Sequence, residues 1–184
     1  LAKRFVKTDI KRQKGSGRVN IIGLTPLDYS INDSDESIRR WLLDNGMQAA
    51  SSWAMGSTLS EIEEAGNADV SLVVSYDGLA AAKYLYDTCN IPYVIGSPLG
   101  HAFSHTLMQA LKDASLSDAC SVPYLNQSTA DAHIVLIGES VYCSSLASSI
   151  AQEYGMPCRI ICQVETEQKQ LNKEDIIAID EDDI

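Results

Sequence analysis

The chain has 184 residues, 45% hydrophobic and 21% charged, an ordinary globular balance that argues against wholesale disorder. No apolar run approaches the ~18 residues of a membrane-spanning helix, and no signal-peptide core follows the basic start, so a soluble protein with no membrane role is expected. The net charge of -11 argues against a nucleic-acid partner, because a phosphate backbone demands a cationic surface.

The charge is unevenly spread. Residues 1 to 18 hold seven of the basic residues (Lys3, Arg4, Lys7, Lys11, Arg12, Lys14 and Arg18) against one acid, Asp9, whereas acids crowd Asp180-Glu181-Asp182-Asp183 at the far end. Because the chain opens on Leu1 and stops just past that acidic run, it reads as a piece of something longer. Phe5, Val6 and Ile10 stand at partly helical spacing, so the basic segment is expected to be a solvated helix or linker entering the domain. Five cysteines, an odd number without framework spacing, point to free thiols and a reducing cytoplasm.

From Val19 onward, short β-branched runs alternate with helix-period segments, the pattern of βαβ units and a parallel sheet. A strand is expected at Val19 to Leu24, then a loop holding Pro26 and Asp28. A helix follows from about Asp35 to Asn45, with Ser34 as its N-cap and Gly46 where a left-handed residue ends it. The next strand is Met47 to Trp53. A short helix at Leu59 to Ala65 starts on the capping box Thr58-Leu59-Ser60-Glu61. Val70 to Ser75 is a third strand, apolar enough for the middle of a parallel sheet. Gly78 to Asn90 is a helix, Pro92 to Gly96 a fourth strand and Ser104 to Ala114 the helix after it.

Ser, Asp, Asn and Gln then dominate residues 115 to 131, which is linker composition. The pattern restarts with a strand at His133 to Glu139, a helix at Ser140 to Tyr154 and strands at Cys158 to Glu165 and Ile176 to Ile179. The organisation expected is therefore a basic helix or linker (1–18), a Rossmann-like α/β domain (19–115), a linker (116–132) and a partial second α/β unit (133–184). That last unit is too small for a core of its own and must pack on something.

In open α/β sheets ligands sit outside the carboxyl ends of the strands, which selects the loops at Thr25 to Tyr29, Ala54 to Thr58, Ser75 to Gly78 and Ser97 to His105. The stretch from Gly23 to Pro26 lacks GxGxxG spacing and no Walker pattern occurs, so nucleotide binding is poorly supported. His101 and His105 are four residues apart and could share a metal on one helix face, but solvated side chains are the simpler reading. Cys158 and Cys162, placed on a strand, would lie about 13 Å apart, too far for one ion. The serines at 140, 144, 145, 148 and 149 read as small residues for close helix packing rather than nucleophiles. Trp41 and Trp53 read as core or interface aromatics.

The ordered series beginning Val19-Asn20-Ile21-Ile22-Gly23, continuing through SSWAMGSTLSEIEEAGNADVSLVVSYDGLAAAKYLYDTCNIPYVIGSPLG, resembles the middle domain of the nitrogenase component 1-type oxidoreductases. The segment HIVLIGESVYCSSLASSIAQEYGMPCRIICQVE resembles the opening of that family's next domain. The resemblance implies a Rossmann-like three-layer parallel sheet flanked by helices, of the chelatase/nitrogenase-like kind. It also implies a subunit of a two-component reductase, paired with a homologous component 1-type subunit and fed by an ATP-dependent iron-sulfur reductase partner. An iron-sulfur cluster is implied in the full-length complex, on cysteines upstream of this chain, with none expected here. Where the catalytic nitrogenase subunit has a cofactor-ligating cysteine this chain has Ser75, and where an arginine follows it has Asp77, which argues against true nitrogenase activity. The ligand- or cofactor-facing candidates are Thr25, Trp53, Ser75, Tyr76 and Asp77, although Asp77 as a helix cap and Ser75 as a strand end explain those two equally well. A non-catalytic metal-chelate or tetrapyrrole binding module of the same fold is the runner-up. A phosphosugar or nucleotide enzyme using the helix starts at Gly78 or Ser140 ranks last.

Overall fold

A computed structural model describes residues 2–10, 12–29, 32–125, 131–164 and 166–178. Leu1, Lys11, Glu165, Ile179 and the acidic run 180–183 lie outside the described residues. The strands of the first sheet are β1 (Arg18–Ile22), β2 (Gln48–Ser52), β3 (Val70–Val73) and β4 (Tyr93–Ile95). All pair in parallel, in the order β2-β1-β3-β4. The helices around them are α1 (Ala2–Phe5), α2 (Pro26–Tyr29), α3 (Ser34–Asp44), α4 (Leu59–Glu63), α5 (Leu79–Cys89) and α6 (His101–Ser117).

The doubly wound arrangement follows from the two-residue period of the strands. Val19 and Ile21 of β1, with Val70 and Leu72 of β3, enter one buried cluster with Ile38 and Leu42 of α3 and Phe103, Leu107 and Leu111 of α6. Ile22 and Val73 point the other way, into a second cluster with Ile62 of α4 and Leu79, Ala82 and Leu85 of α5. The central strand β3 is buried at all four residues, as its continuous apolar run predicts.

Of the polar residues buried inside this sheet, Asn20 and Ser51 are paired, whereas Ser71 Oγ on β3 has no hydrogen-bond partner among the described residues. Asn20, fully buried on β1, donates through Nδ2 to the Ala65 carbonyl (2.9 Å) and accepts through Oδ1 from Ser51 (2.7 Å). Ser51 Oγ in turn accepts from the Trp53 indole N–H (2.9 Å). This chain of bonds ties β1, β2 and the 3₁₀ turn Ala65–Asn67 together.

Several expected boundaries shift, each for a local reason. Pro26 and Asp28 lie on α2 rather than in a loop, because Thr25 caps that turn: Asp28 N donates to Thr25 Oγ1 (3.3 Å) and Thr25 Oγ1 to Asp28 Oδ2 (2.8 Å). Ser34 is the first residue of α3 and Asp33, in the left-handed region, is its N-cap. The capping box of Thr58 and Glu61 forms as expected. The helix α6 starts three residues before Ser104 and runs through Ser117, and Ser121 bridges Val94 of β4.

The basic segment is docked on the domain, although the side chains of Lys3, Arg4, Lys7 and Lys14 are exposed. Ala2 and Val6 are buried in the second cluster, and Lys7 pairs with Glu63 (2.8 Å). The Arg12 side chain is 8% exposed and ion-pairs with Asp118, and its guanidinium also donates to the carbonyls of Ser115 (2.8 Å) and Asn90 (3.3 Å). Lys14 reaches the same aspartate at 2.9 Å. The positive charge thus meets the unsatisfied carbonyls at the ends of α5 and α6, where the helix dipole is negative.

A second parallel sheet holds β5 (Ile134–Ile137), β6 (Cys158–Cys162) and β7 (Ile176–Ile177), with α7 (Ser140–Tyr154) crossing from β5 to β6. It packs on the first unit through α7. Ser145 Oγ accepts from the Ser97 backbone N–H (2.9 Å), and Ser148 Oγ from Leu125 N–H (3.1 Å). Glu153 accepts from the first two N–H groups of α6, His101 (2.7 Å) and Ala102 (3.0 Å). The serine stripe is therefore a packing face, with hydroxyls that bond across it.

Asn20→Ala would remove two buried hydrogen bonds, leaving the Ala65 carbonyl only the Ala68 N–H and the Ser51 hydroxyl only the Trp53 indole, and is expected to lower the unfolding free energy by about 1–3 kcal/mol in urea denaturation.

Candidate functional site

In the order β2-β1-β3-β4 the chain leaves β1 towards one edge and later returns to β3 on β1's other side. The helices after β1 and β3 consequently lie on opposite faces, and a crevice opens between the carboxyl ends of these two strands. A cleft of about 450 Å³ occupies this place. Its walls are Ile22, Gly23 and Thr25 after β1, Trp53 and Ala54 after β2, Asp77 and Gly78 after β3, and Ala80, Ala81 and Tyr84 of α5, closed on one side by Ala2 and Lys3.

The crevice exists because the turn after β3 approaches β1 very closely. A Cβ on Gly78 would lie 2.7 Å from the Ile22 carbonyl carbon and oxygen, so only glycine fits. Opposite it, Ser75 Oγ donates to the Gly23 carbonyl at 2.7 Å and is completely buried. The 3₁₀ turn Tyr76–Gly78 leads from β3 into α5.

Of the five residues expected from sequence, Thr25, Trp53 and Asp77 line the cleft. Thr25 is half-buried with its hydroxyl engaged by Asp28, and the Trp53 indole is buried with its N–H engaged by Ser51. Asp77 is exposed. Ser75 lies behind the wall, bonded to Gly23, and acts as a strut. Tyr76 is half-buried and faces a separate crevice beside Lys83 and Glu167. No cap hydrogen bond comes from Asp77 at the start of the following helix, so the capping role expected as its alternative does not occur.

Sequence reasoning placed Ala54 in a selected loop without singling it out, and missed Ala80, Ala81 and Tyr84. The last three share one face of α5 at helical spacing, a signal present in the sequence but indistinguishable there from a core stripe. Ala54 takes φ +82, a left-handed conformation costly for a residue with a Cβ. It turns the chain away from the end of β2, beside the cleft it lines with Trp53.

His101 and His105 both stand on α6, exposed and one turn apart, with His101 as the first helical residue rather than in the loop. Among the described residues no three His, Cys, Asp or Glu side chains gather to hold a metal ion. An iron-sulfur cluster needs thiolate ligands. The five thiols are free, and burial pushes Cys143 up to about 12 and raises Cys120, Cys158 and Cys162, the opposite of a ligand's bias. These cysteines do not fit such a cluster.

Two substitutions separate strut from strain. Ser75→Ala is expected to cost about 1 kcal/mol by losing the Gly23 bond. Ala54→Gly is expected to gain about 0.5–1 kcal/mol by relieving the left-handed backbone. Thermal unfolding of both variants checks the signs.

Among curated proteins, a light-independent protochlorophyllide reductase subunit of Leptolyngbya boryana is 24% identical over 142 residues, covering 74% of this chain and 28% of the relative. Its counterpart in Nostoc punctiforme is 23% identical with the same coverage. That of Nephroselmis olivacea is 28% identical over 101 residues, covering 50% and 19%. The chain thus spans less than a third of the length of these relatives. No helix among the described residues is long and apolar enough to cross a membrane. The profile described as Nitrogenase component 1 type Oxidoreductase matches residues 1–172, and with the doubly wound parallel sheet and its switch-point cleft in place, the chain belongs to that family.

Proposed function

We propose that this chain forms one wall of the substrate site in a subunit of a two-component reductase of the protochlorophyllide-reducing kind. The observation that carries the reading is the character of the cleft. Its interior is built from Ile22, Trp53, Ala80, Ala81 and Tyr84, and its charged groups, Asp77 and Lys3, are exposed. A flat conjugated macrocycle with acidic substituents matches such a surface: its faces lie against the indole, phenol and alanine methyl groups, and a carboxylate meets the lysine. Neighbouring parts of the protein complete the enclosure.

In this reading a homologous component 1-type subunit is the partner, and an ATP-dependent iron-sulfur reductase supplies electrons in the cytoplasm. The cluster that receives them is held by cysteines outside this chain. Ser75 stands where the nitrogenase catalytic subunit has its cofactor-ligating cysteine, and its hydroxyl is engaged with Gly23, so nitrogenase chemistry is not proposed. The chain's own contribution is to bind and orient. A second reading, a binding module without redox chemistry, draws on the fact that Thr25, Trp53 and Ser75 all direct their polar atoms into the protein.

The test uses the protein carrying this chain, produced with its partner subunit and reconstituted anaerobically with iron and sulfide. Visible charge-transfer absorption, together with ATP- and reductase-dependent consumption of protochlorophyllide, is expected. Ala81→Trp, which fills the cleft, should weaken protochlorophyllide binding about tenfold or more without changing iron content. Iron uptake without pigment binding would sink the substrate class; pigment binding without iron uptake by the folded protein would establish the binding module.

A further inference from the structure

We infer that Glu139 is a positioning residue for the cleft: its carboxylate fastens the turn Tyr76–Gly78 to the start of α7, so that the seating of the second unit sets the cleft's acidic wall. The inference rests on the reading of the cleft as a ligand site given above.

Glu139 is the second residue after β5 and the N-cap of α7. Oε2 accepts from Tyr142 N–H (2.8 Å), and Oε1 accepts from Val141 N–H (3.0 Å) and the Ser140 hydroxyl (3.3 Å). Short side chains such as Ser, Asp or Asn suffice for a cap. The longer glutamate does something more, because Oε1 also accepts from the Tyr76 N–H at 2.9 Å, 63 residues away in the chain. That N–H lies where β3 has ended, and the carboxylate of the second unit meets it.

The turn is thereby pinned from two sides. Gly78 is pressed against the end of β1, Tyr76 N–H is held by Glu139, and Asp77 stands between them on the cleft wall. The helix carrying Glu139 is itself seated on the first unit, through Ser145 on the Ser97 N–H and Tyr142 edge-to-face on Tyr29 with centroids 5.9 Å apart. A movement of α7 therefore displaces Tyr76 and, through it, Asp77.

The clamp needs two acceptor oxygens, because every group it meets is a donor. Protonation turns one oxygen into a donor facing N–H groups. Burial raises the pKa of Glu139 despite its three backbone bonds, and Asp28 adds to the rise. The titratable groups that face it are Asp28, Tyr29, Tyr124, Cys143 and Cys162. Two opposite trends follow. Because the folded-state pKa is raised, this group's contribution to stability is full below the unfolded value and is lost as pH rises through the folded pKa. Ligand affinity, which needs the charged clamp, falls as pH drops through the same range.

Hydrogen exchange of the full-length protein tests this. In Glu139→Gln the Tyr76 amide should exchange at least tenfold faster, protochlorophyllide binding should weaken about tenfold, and the acid loss of affinity should flatten. Glu153→Gln, which alters the other capping contact of α7 without reaching the turn, should leave all three unchanged. Unchanged Tyr76 exchange in folded Glu139→Gln overturns the inference. So does unchanged affinity in Glu139→Gln when Ala81→Trp still weakens binding. If neither variant affects binding, the reading of the cleft falls, and with it the role of Glu139. Should Glu139→Gln not fold, Glu139→Asp decides, since it keeps a capping carboxylate but shortens its reach to the turn: unchanged Tyr76 exchange in that variant overturns the clamp.

Discussion

The close approach of Gly78 to the end of β1 is the contact on which the rest of this structure depends. With no side chain at position 78, the turn after β3 rests directly on the backbone of Ile22 and Gly23, and Ser75 locks the pair by donating to the Gly23 carbonyl. The two central strands are thereby held together at the very point where their following helices must part to opposite faces. A crevice is the geometric result, and its inner surface is whatever apolar residues α5 and the end of β2 present to it. The site is thus a by-product of the packing that makes the sheet doubly wound, furnished with an indole and a phenol.

The second unit completes the first rather than merely following it. Its serine-rich helix lies beyond the carboxyl ends of β3 and β4, where backbone N–H groups have run out of strand partners, and Ser145, Glu139 and Glu153 each accept from one or more of them, while Ser148 accepts from Leu125 N–H. Small side chains allow the helix to come close, and hydroxyls and carboxylates satisfy what that closeness would otherwise bury without partners. The N-terminal basic segment acts in the opposite sense at the other ends of α5 and α6, where Arg12 supplies donors to orphan carbonyls. Charge segregation along the chain becomes charge complementarity to helix ends in space.

Much of this architecture is legible in the sequence. Every β-branched run from Val19 onward forms a strand, and the Thr58 and Glu61 pair caps its helix, because hydrophobic period and capping chemistry are local properties. The strand-end rule selects Thr25 and Asp77 from loop positions and Trp53 from the end of its strand. It also selects Ser75, whose side chain faces the backbone of Gly23, and Tyr76, which faces a different crevice; the rule locates a loop, but not the direction of each side chain in it. Ala80, Ala81 and Tyr84 are invisible as site residues because an apolar stripe looks the same whether it faces a core or a cleft. Arg12 reads as solvated because nothing in its neighbourhood in sequence announces Asn90, Ser115 and Asp118.

By itself, then, the sequence determined the α/β class, the parallel pattern, the order of its elements and the loops among which a site must be sought, since these rest on two- and 3.6-residue periods and on contacts a few residues long. Which side chains share a wall was decided only by the tertiary structure. So was the bonding of Glu139 to a turn 63 residues earlier. The physical reason is that hydrogen bonds and close contacts of this kind act over a few ångströms of space, whatever the separation along the chain, and the fold alone brings such partners within reach.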